Sequence, residues 1–206
     1  METLMIALLS VAAPQHHDDE GFEAQLHLIP RVSRLTGDVA DNVGYDDLWT
    51  EGFGFAVEGD FLGGVGRSWK VGGYVSLGFD SYGGDSSDEA GGVLEVDTLT
   101  TSHLMVGFKI MTAPNGGFYF DGRIGFGTVF YAETEGTLVG APVTVFDATS
   151  VGAGEIAVHF GYSWENVLIA AGLSGRSQGA PDAGDVNLGI ESAFNGSLEF
   201  EVAFRF

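Results

Sequence analysis

The chain contains no cysteine. That excludes a disulfide framework and any thiolate metal site. Bases are scarce: 8 Lys and Arg stand against 29 Asp and Glu, a formal charge of -21. Nucleic-acid binding needs basic patches that neutralise phosphate, so no nucleic-acid partner is expected. No run of about 18 apolar residues occurs, so no helix is expected to cross a bilayer. A membrane protein of this sequence would have to be a closed barrel, the other structure that satisfies every backbone group in lipid. The 206 residues include 33 Gly and 5 Pro, and no segment carries a strong helical period. Glycine disfavours helices, and the length suits one barrel or sandwich domain.

Residues 1–13 hold an apolar run followed by Ser10, Val11, Ala12 and Ala13. They read as a secretory signal peptide with small residues before its cleavage point. No Lys or Arg precedes the run, and Pro14 follows it. A misassigned start or a short buried strand is the other reading. Residues 14–21, with His16-His17-Asp18-Asp19-Glu20, read as a polar linker, and 22–206 as one β-barrel domain.

Eight segments alternate apolar and polar residues with the period of two that a strand imposes. They fall near 22–34, 51–62, 69–82, 97–112, 118–131, 150–163, 167–174 and 186–206. Residues 83–96 read as an acidic, solvated loop without the spacing of a calcium loop. The connection 132–149 has room for a hairpin at 138–146, and 175–185 reads as a further loop. Asn195-Gly196 reads as a bulge or a small hairpin turn. Connections alternate long and short, as in barrels with short turns at one end and long loops at the other.

The last segment, Ser197 to Phe206, reads S-L-E-F-E-V-A-F-R-F. Leu198, Phe200, Val202, Phe204 and Phe206 share one face; Glu199, Glu201, Ala203 and Arg205 share the other. A terminal aromatic after apolar residues at every second position resembles the last strand of bacterial outer-membrane barrels. The whole of 22–206 is similar to the small eight-stranded OmpA-, OmpX- or OmpW-like barrels. The resemblance implies an all-β, closed, antiparallel, up-and-down transmembrane barrel in the bacterial outer membrane. Its partners would be outer-membrane lipids and the β-barrel assembly machinery, which would read Phe200, Val202, Phe204 and Phe206. A monomer without cofactor is implied. Replacing Phe204 and Phe206 is expected to impair insertion more than replacing Phe146, placed in a loop.

Alternation alone fits a soluble lipocalin-like barrel as well, with the apolar face inside. The distribution of residues favours the reverse. Phe53, Phe61, Trp69, Phe79, Phe118, Phe130, Tyr162 and Phe206 cluster at the ends of the apolar face, like two aromatic girdles. The opposite face mixes small residues with most of the chain's few bases. Charges withdrawn from bulk water need partners. A polar lumen network is therefore expected from Arg31, Glu58, Asp60, Lys70, Lys109, Asp121, Arg123 and Glu155, centred on Arg123. An eight-stranded barrel has an interior that side chains can fill, so a plugged lumen and a structural or surface-interaction role are expected. A narrow cation-selective pore is the alternative. His27, His103 and His159 on the same face read as hydrogen-bonded histidines, and no metal site is assigned. His103 with Ser102 is similar to the His and Ser of barrel enzymes that modify lipid A, but no motif of those families matches, so no catalytic residue is assigned.

Overall fold

The computed structural model describes residues 21–37, 48–65, 68–87, 92–112, 116–186, 188–189 and 192–206. The signal-peptide reading of 1–13 and all but the last residue of the 14–21 linker lie outside them. Twelve strands are present among the described residues: β1 (Phe22–Thr36), β2 (Trp49–Val65), β3 (Trp69–Gly84), β4 (Ser86–Ser87), β5 (Leu94–Val96), β6 (Leu99–Thr112), β7 (Gly117–Tyr131), β8 (Thr134–Leu138), β9 (Ala141–Phe146), β10 (Thr149–Trp164), β11 (Val167–Gly179) and β12 (Ser192–Arg205). Eight close into an antiparallel barrel in the order β1-β12-β11-β10-β7-β6-β3-β2. β1 closes the ring by pairing with both β2 and β12, Leu28 standing opposite Val57 on one side and Val202 on the other.

Period two sets the faces. In β6, Thr101, His103, Met105, Lys109 and Met111 are buried while Leu104, Val106, Phe108 and Ile110 are exposed. The same parity runs through the other seven barrel strands, so every Phe of the C-terminal pattern points outward and Glu199 and Glu201 point inward. Mid-barrel side chains such as Phe108 (72% exposed), Phe126 (66%) and Phe160 (66%) surround the outside. This polarity, apolar outside and charged inside, is the reverse of a soluble ligand-binding barrel, which overturns the lipocalin-like alternative. Barrel strands of 13 to 17 residues rise about 3.3 Å per residue, long enough to cross a hydrocarbon core at a tilt and project beyond it. No helix among the described residues is long and apolar enough to cross a membrane.

Short connections join the strands at one end and long ones at the other. Two of the long connections carry strands of their own. β4, β5, β8 and β9 form a second, four-stranded sheet over the mouth. The reading of 83–96 as a solvated loop is thereby corrected: Leu94 and Val96 are buried, and Val96 donates its amide to the Asp85 carbonyl at 3.0 Å. The hairpin placed at 138–146 spans β8 and β9 and turns at Val139 and Gly140, both at positive φ (53° and 79°), the geometry of a two-residue type I′ turn. The fourth connection docks on β9, with Asp185 donating its amide to the Thr144 carbonyl at 2.7 Å.

Two further boundaries shift. β11 runs on to Gly179, five residues past the expected strand end at 174. Asn195-Gly196 is neither bulge nor turn: both residues pair in unbroken register, Asn195 with Leu35 and Arg176, Gly196 with Arg34 and Gly175. Bonds on both sides of the strand outweigh the local turn preference of the dipeptide.

Candidate functional site: the filled lumen

The interior is stacked in layers along the barrel axis. At the mouth with the long loops, apolar side chains from strand ends and loops make one cluster. Leu35, Tyr82, Leu99, Val129 and Tyr131 come from the barrel. Leu48, Leu94, Val96, Val145, Phe146 and Leu188 come from the connections. Phe146 stacks on Trp49 with ring centroids 5.2 Å apart, so it is a core residue of the cap and not a loop side chain. Two inward amides anchor this layer from below, Asn195 donating to Tyr82 Oη at 2.6 Å and Gln178 to Tyr131 Oη at 2.5 Å.

Beneath the cap lies an ionic core to which all eight barrel strands contribute. Asp80 on β3 accepts from Arg31 Nε at 2.7 Å and from Arg176 Nη2 at 2.8 Å. His103 rests against the Arg31 guanidinium at 3.2 Å. One layer further, Arg123 on β7 reaches three carboxylates on three strands: Glu58 at 2.9 Å, Glu199 at 2.8 Å and Glu155 at 3.2 Å. The Tyr74 ring lies beside its guanidinium, 5.8 Å from carbon to centroid. Glycines make room for that ring: a Cβ at Gly125 would fall 2.0 Å from Tyr74 Oη. Below, Lys109 bonds Glu58 at 3.0 Å and Asp60 at 3.1 Å. His27 lies between Asp60 and Glu201, 2.9 Å from each, and His159 between Asp121 (3.0 Å) and Glu199 (2.8 Å). A small apolar layer of Leu62, Met111, Tyr119, Leu168, Ala170 and Ala203 closes the end with the short turns.

Of the residues expected in the network, Arg31, Glu58, Asp60, Lys109, Asp121, Arg123 and Glu155 are buried together in this core. Arg123 does not bond Asp121, its near neighbour in sequence; that carboxylate serves His159. Lys70 stands apart, part-exposed at the short-turn mouth, where it pairs with Glu23 alongside Arg205. Arg176 escapes the sequence reading because 175–185 looks like a loop, yet Gly172, Ser174, Arg176 and Gln178 continue the inward parity of β11. Ser102 and His103 point to opposite sides of the barrel wall, exposed and buried respectively, so the two do not form a nucleophile and its base. The C-terminal Phe200, Val202, Phe204 and Phe206 lie on the outer wall.

Counted as charges, the buried core holds seven carboxylates (Glu58, Asp60, Asp80, Asp121, Glu155, Glu199, Glu201) against four permanent cations (Arg31, Lys109, Arg123, Arg176), among the described residues. Histidine supplies part of the balance. A neutral imidazole has one N–H, so a ring held between two carboxylates takes a second proton or shares another cation.

An apolar outer wall, a closed ring of strands and a charged, filled interior define a membrane-spanning β-barrel of the small, eight-stranded kind. The chain has the fold of bacterial outer-membrane barrels. Ail, the attachment invasion locus protein of Yersinia pestis, is similar over 89% of this chain and 98% of its own, at 14% identity and a TM-score of 0.51. Its complex with the heparin analogue sucrose octasulfate matches at 12% identity, 90% and 99% coverage and a TM-score of 0.52. Neisserial surface protein A matches at 10% identity, 92% and 100% coverage and a TM-score of 0.54. At such identities the likeness is one of fold. No protein-family model and no curated protein sequence matches the chain.

Proposed function

We propose that this protein is a non-conducting barrel of the bacterial outer membrane whose working surface is its folded outer cap. The observation that supports this most directly is the filling of the lumen from mouth to mouth: an apolar cap, a bonded ionic core and an apolar floor leave the outer surface as the part free to meet a partner. The lipids around the wall and the assembly machinery that recognises Phe200, Val202, Phe204 and Phe206 are its envelope partners in this reading.

The chemistry of the cap narrows the class of partner. The four long connections, 37–48, 85–98, 132–148 and 180–191, hold fifteen Asp and Glu and no Lys or Arg. Asp85, Glu95, Asp97, Glu133, Glu135, Asp147, Asp182 and Asp185 are exposed on it. Such a surface attracts cationic partners and repels polyanions. The heparin analogue seen with Ail would meet like charge here. A cation-selective pore is the second reading, favoured only by the excess of carboxylates in the core.

The absence of native cysteine makes a topology test simple. Val139→Cys at the tip of the cap hairpin should react with a membrane-impermeant maleimide on intact cells, and Glu165→Cys in the short turn after β10 should not. Equal labelling of both, or recovery of the protein in a soluble fraction without detergent, would contradict the reading.

A further inference from the structure

Two clusters in the lower half of the core bring a histidine and two carboxylates within coordinating distance of one another: His27, Glu58 and Asp60, and Asp121, His159 and Glu201. They differ in what stands between the ligands. In the first, the Lys109 ammonium already occupies the centre, 3.0 Å from Glu58 and 3.1 Å from Asp60. In the second, among the described residues, no Lys or Arg forms an ion pair with Asp121 or Glu201.

The second cluster has the features of a built site. His159 Nε2 lies 2.8 Å from Glu199, which also binds Arg123 and accepts from Ser174 at 2.7 Å. An N–H donated there fixes the ring with Nδ1 facing Asp121 and Glu201, the carboxylate-histidine arrangement that orients metal-binding imidazoles. Nδ1 stands 3.0 Å from Asp121 Oδ1 and 3.8 Å from Glu201 Oε2. Glu201 is steadied through its other oxygen, which bonds His27 and accepts from Tyr119 Oη at 3.3 Å. The remaining oxygens, Asp121 Oδ2 and Glu201 Oε2, are fully buried with no hydrogen-bond partner. Buried carboxylate oxygens do not stay unpaired without cost. One proton on Nδ1 can serve only one of these two acids.

We propose that Asp121, His159 and Glu201 bind a divalent transition-metal cation such as Zn2+ in the lumen, with water completing its shell. One imidazole and two carboxylates are ordinary zinc donors, and their ligand atoms lie within 4.8 Å of one another, so small side-chain movements would bring all three onto one ion. The charge of the core supports it. Among the described residues the core buries three more carboxylates than permanent cations, which favours an added cation. The ion would tie β7, β10 and β12 together just above the apolar floor.

The test is metal content of the purified, folded, full-length protein after chelation and dialysis against Zn2+. Wild type should retain a single Zn2+ per chain. His159→Gln should lose it, binding at least about 100-fold more weakly, while His103→Gln and a His16→Asn/His17→Asn variant, which removes the other histidine cluster, should retain it. Zinc K-edge absorption of the wild-type protein gives a check that needs no variant to fold: it should show one imidazole with oxygen neighbours. Absence of bound Zn2+ in wild type, its loss on substituting His16 and His17, or a shell with two imidazoles or none would each overturn the site.

Discussion

Arg123 Nη2 on β7 and Glu199 Oε2 on β12 meet at 2.8 Å across the barrel, although neither strand is a neighbour of the other in the sheet. The pair spans the lumen rather than running along its wall. Glu58 and Glu155 approach the same guanidinium from two other strands, so one side chain ties four strands together.

Removing that guanidinium strands three carboxylates in a dry interior. Arg123→Ala should lower stability by about 3–5 kcal/mol, the usual cost of breaking a buried ion pair from one side. Denaturant unfolding in lipid, followed by the gel shift between folded and heat-denatured protein, gives the value. A loss below about 1 kcal/mol would mean that the core is hydrated and the contacts are weak.

The outer wall makes a depth-dependent prediction. Ile124 lies mid-strand and exposed, and Phe118 lies at the short-turn end of the same strand. An arginine at position 124 should cost about 2–4 kcal/mol and one at position 118 about 0–1 kcal/mol, as charge costs most at the bilayer midplane. Equal and small effects at both positions would show that no hydrocarbon surrounds the wall.

Close packing inside the barrel gives a third prediction. A Cβ on Gly107 would fall 2.1 Å from the Ile124 carbonyl, whereas one on Gly59, which faces outward, meets nothing within 4 Å. Gly107→Ala should destabilise by about 1–3 kcal/mol, as overpacking does, and Gly59→Ala should be near neutral. The same unfolding assay separates them.

Barrel and cap were legible to different degrees, for physical reasons. Period two is unmistakable where lipid demands an apolar residue at every second position, as in β6 or β12. It fades where a strand leaves the lipid. Gly175, Ser177 and Gly179 give β11 no outward apolar signal, so its last residues, and Arg176 with them, read as loop. β4 and β5 have two and three residues, too few for any period to show, and β5 takes its second partner, β8, from a distant connection. Parity indicates which charges face inward, but not which acid meets which base. That depends on the width of the barrel and the stagger of its strands, which bring Asp80 of β3 to Arg176 of β11.

The C-terminal pattern needs a different control from the one the sequence suggests. Phe146 is buried against Trp49 and Tyr131, so Phe146→Ser should loosen the cap and speed proteolysis of its loops. Val139, exposed at a turn, is the neutral site. Changing Phe204 and Phe206 to Ser should reduce the inserted fraction in cells, and Val139→Ser should not. Equal insertion of both would remove the role assigned to the terminal aromatics.

The central claim is that side chains close the lumen, and planar-bilayer recording tests it most directly. Pure wild-type protein inserted into a bilayer should give no steady conductance, because the cap, the ionic core and the floor of Leu62, Met111 and Leu168 each block the path. Steady, cation-selective current from wild type would contradict the account and make the excess carboxylates of the core the lining of a pore.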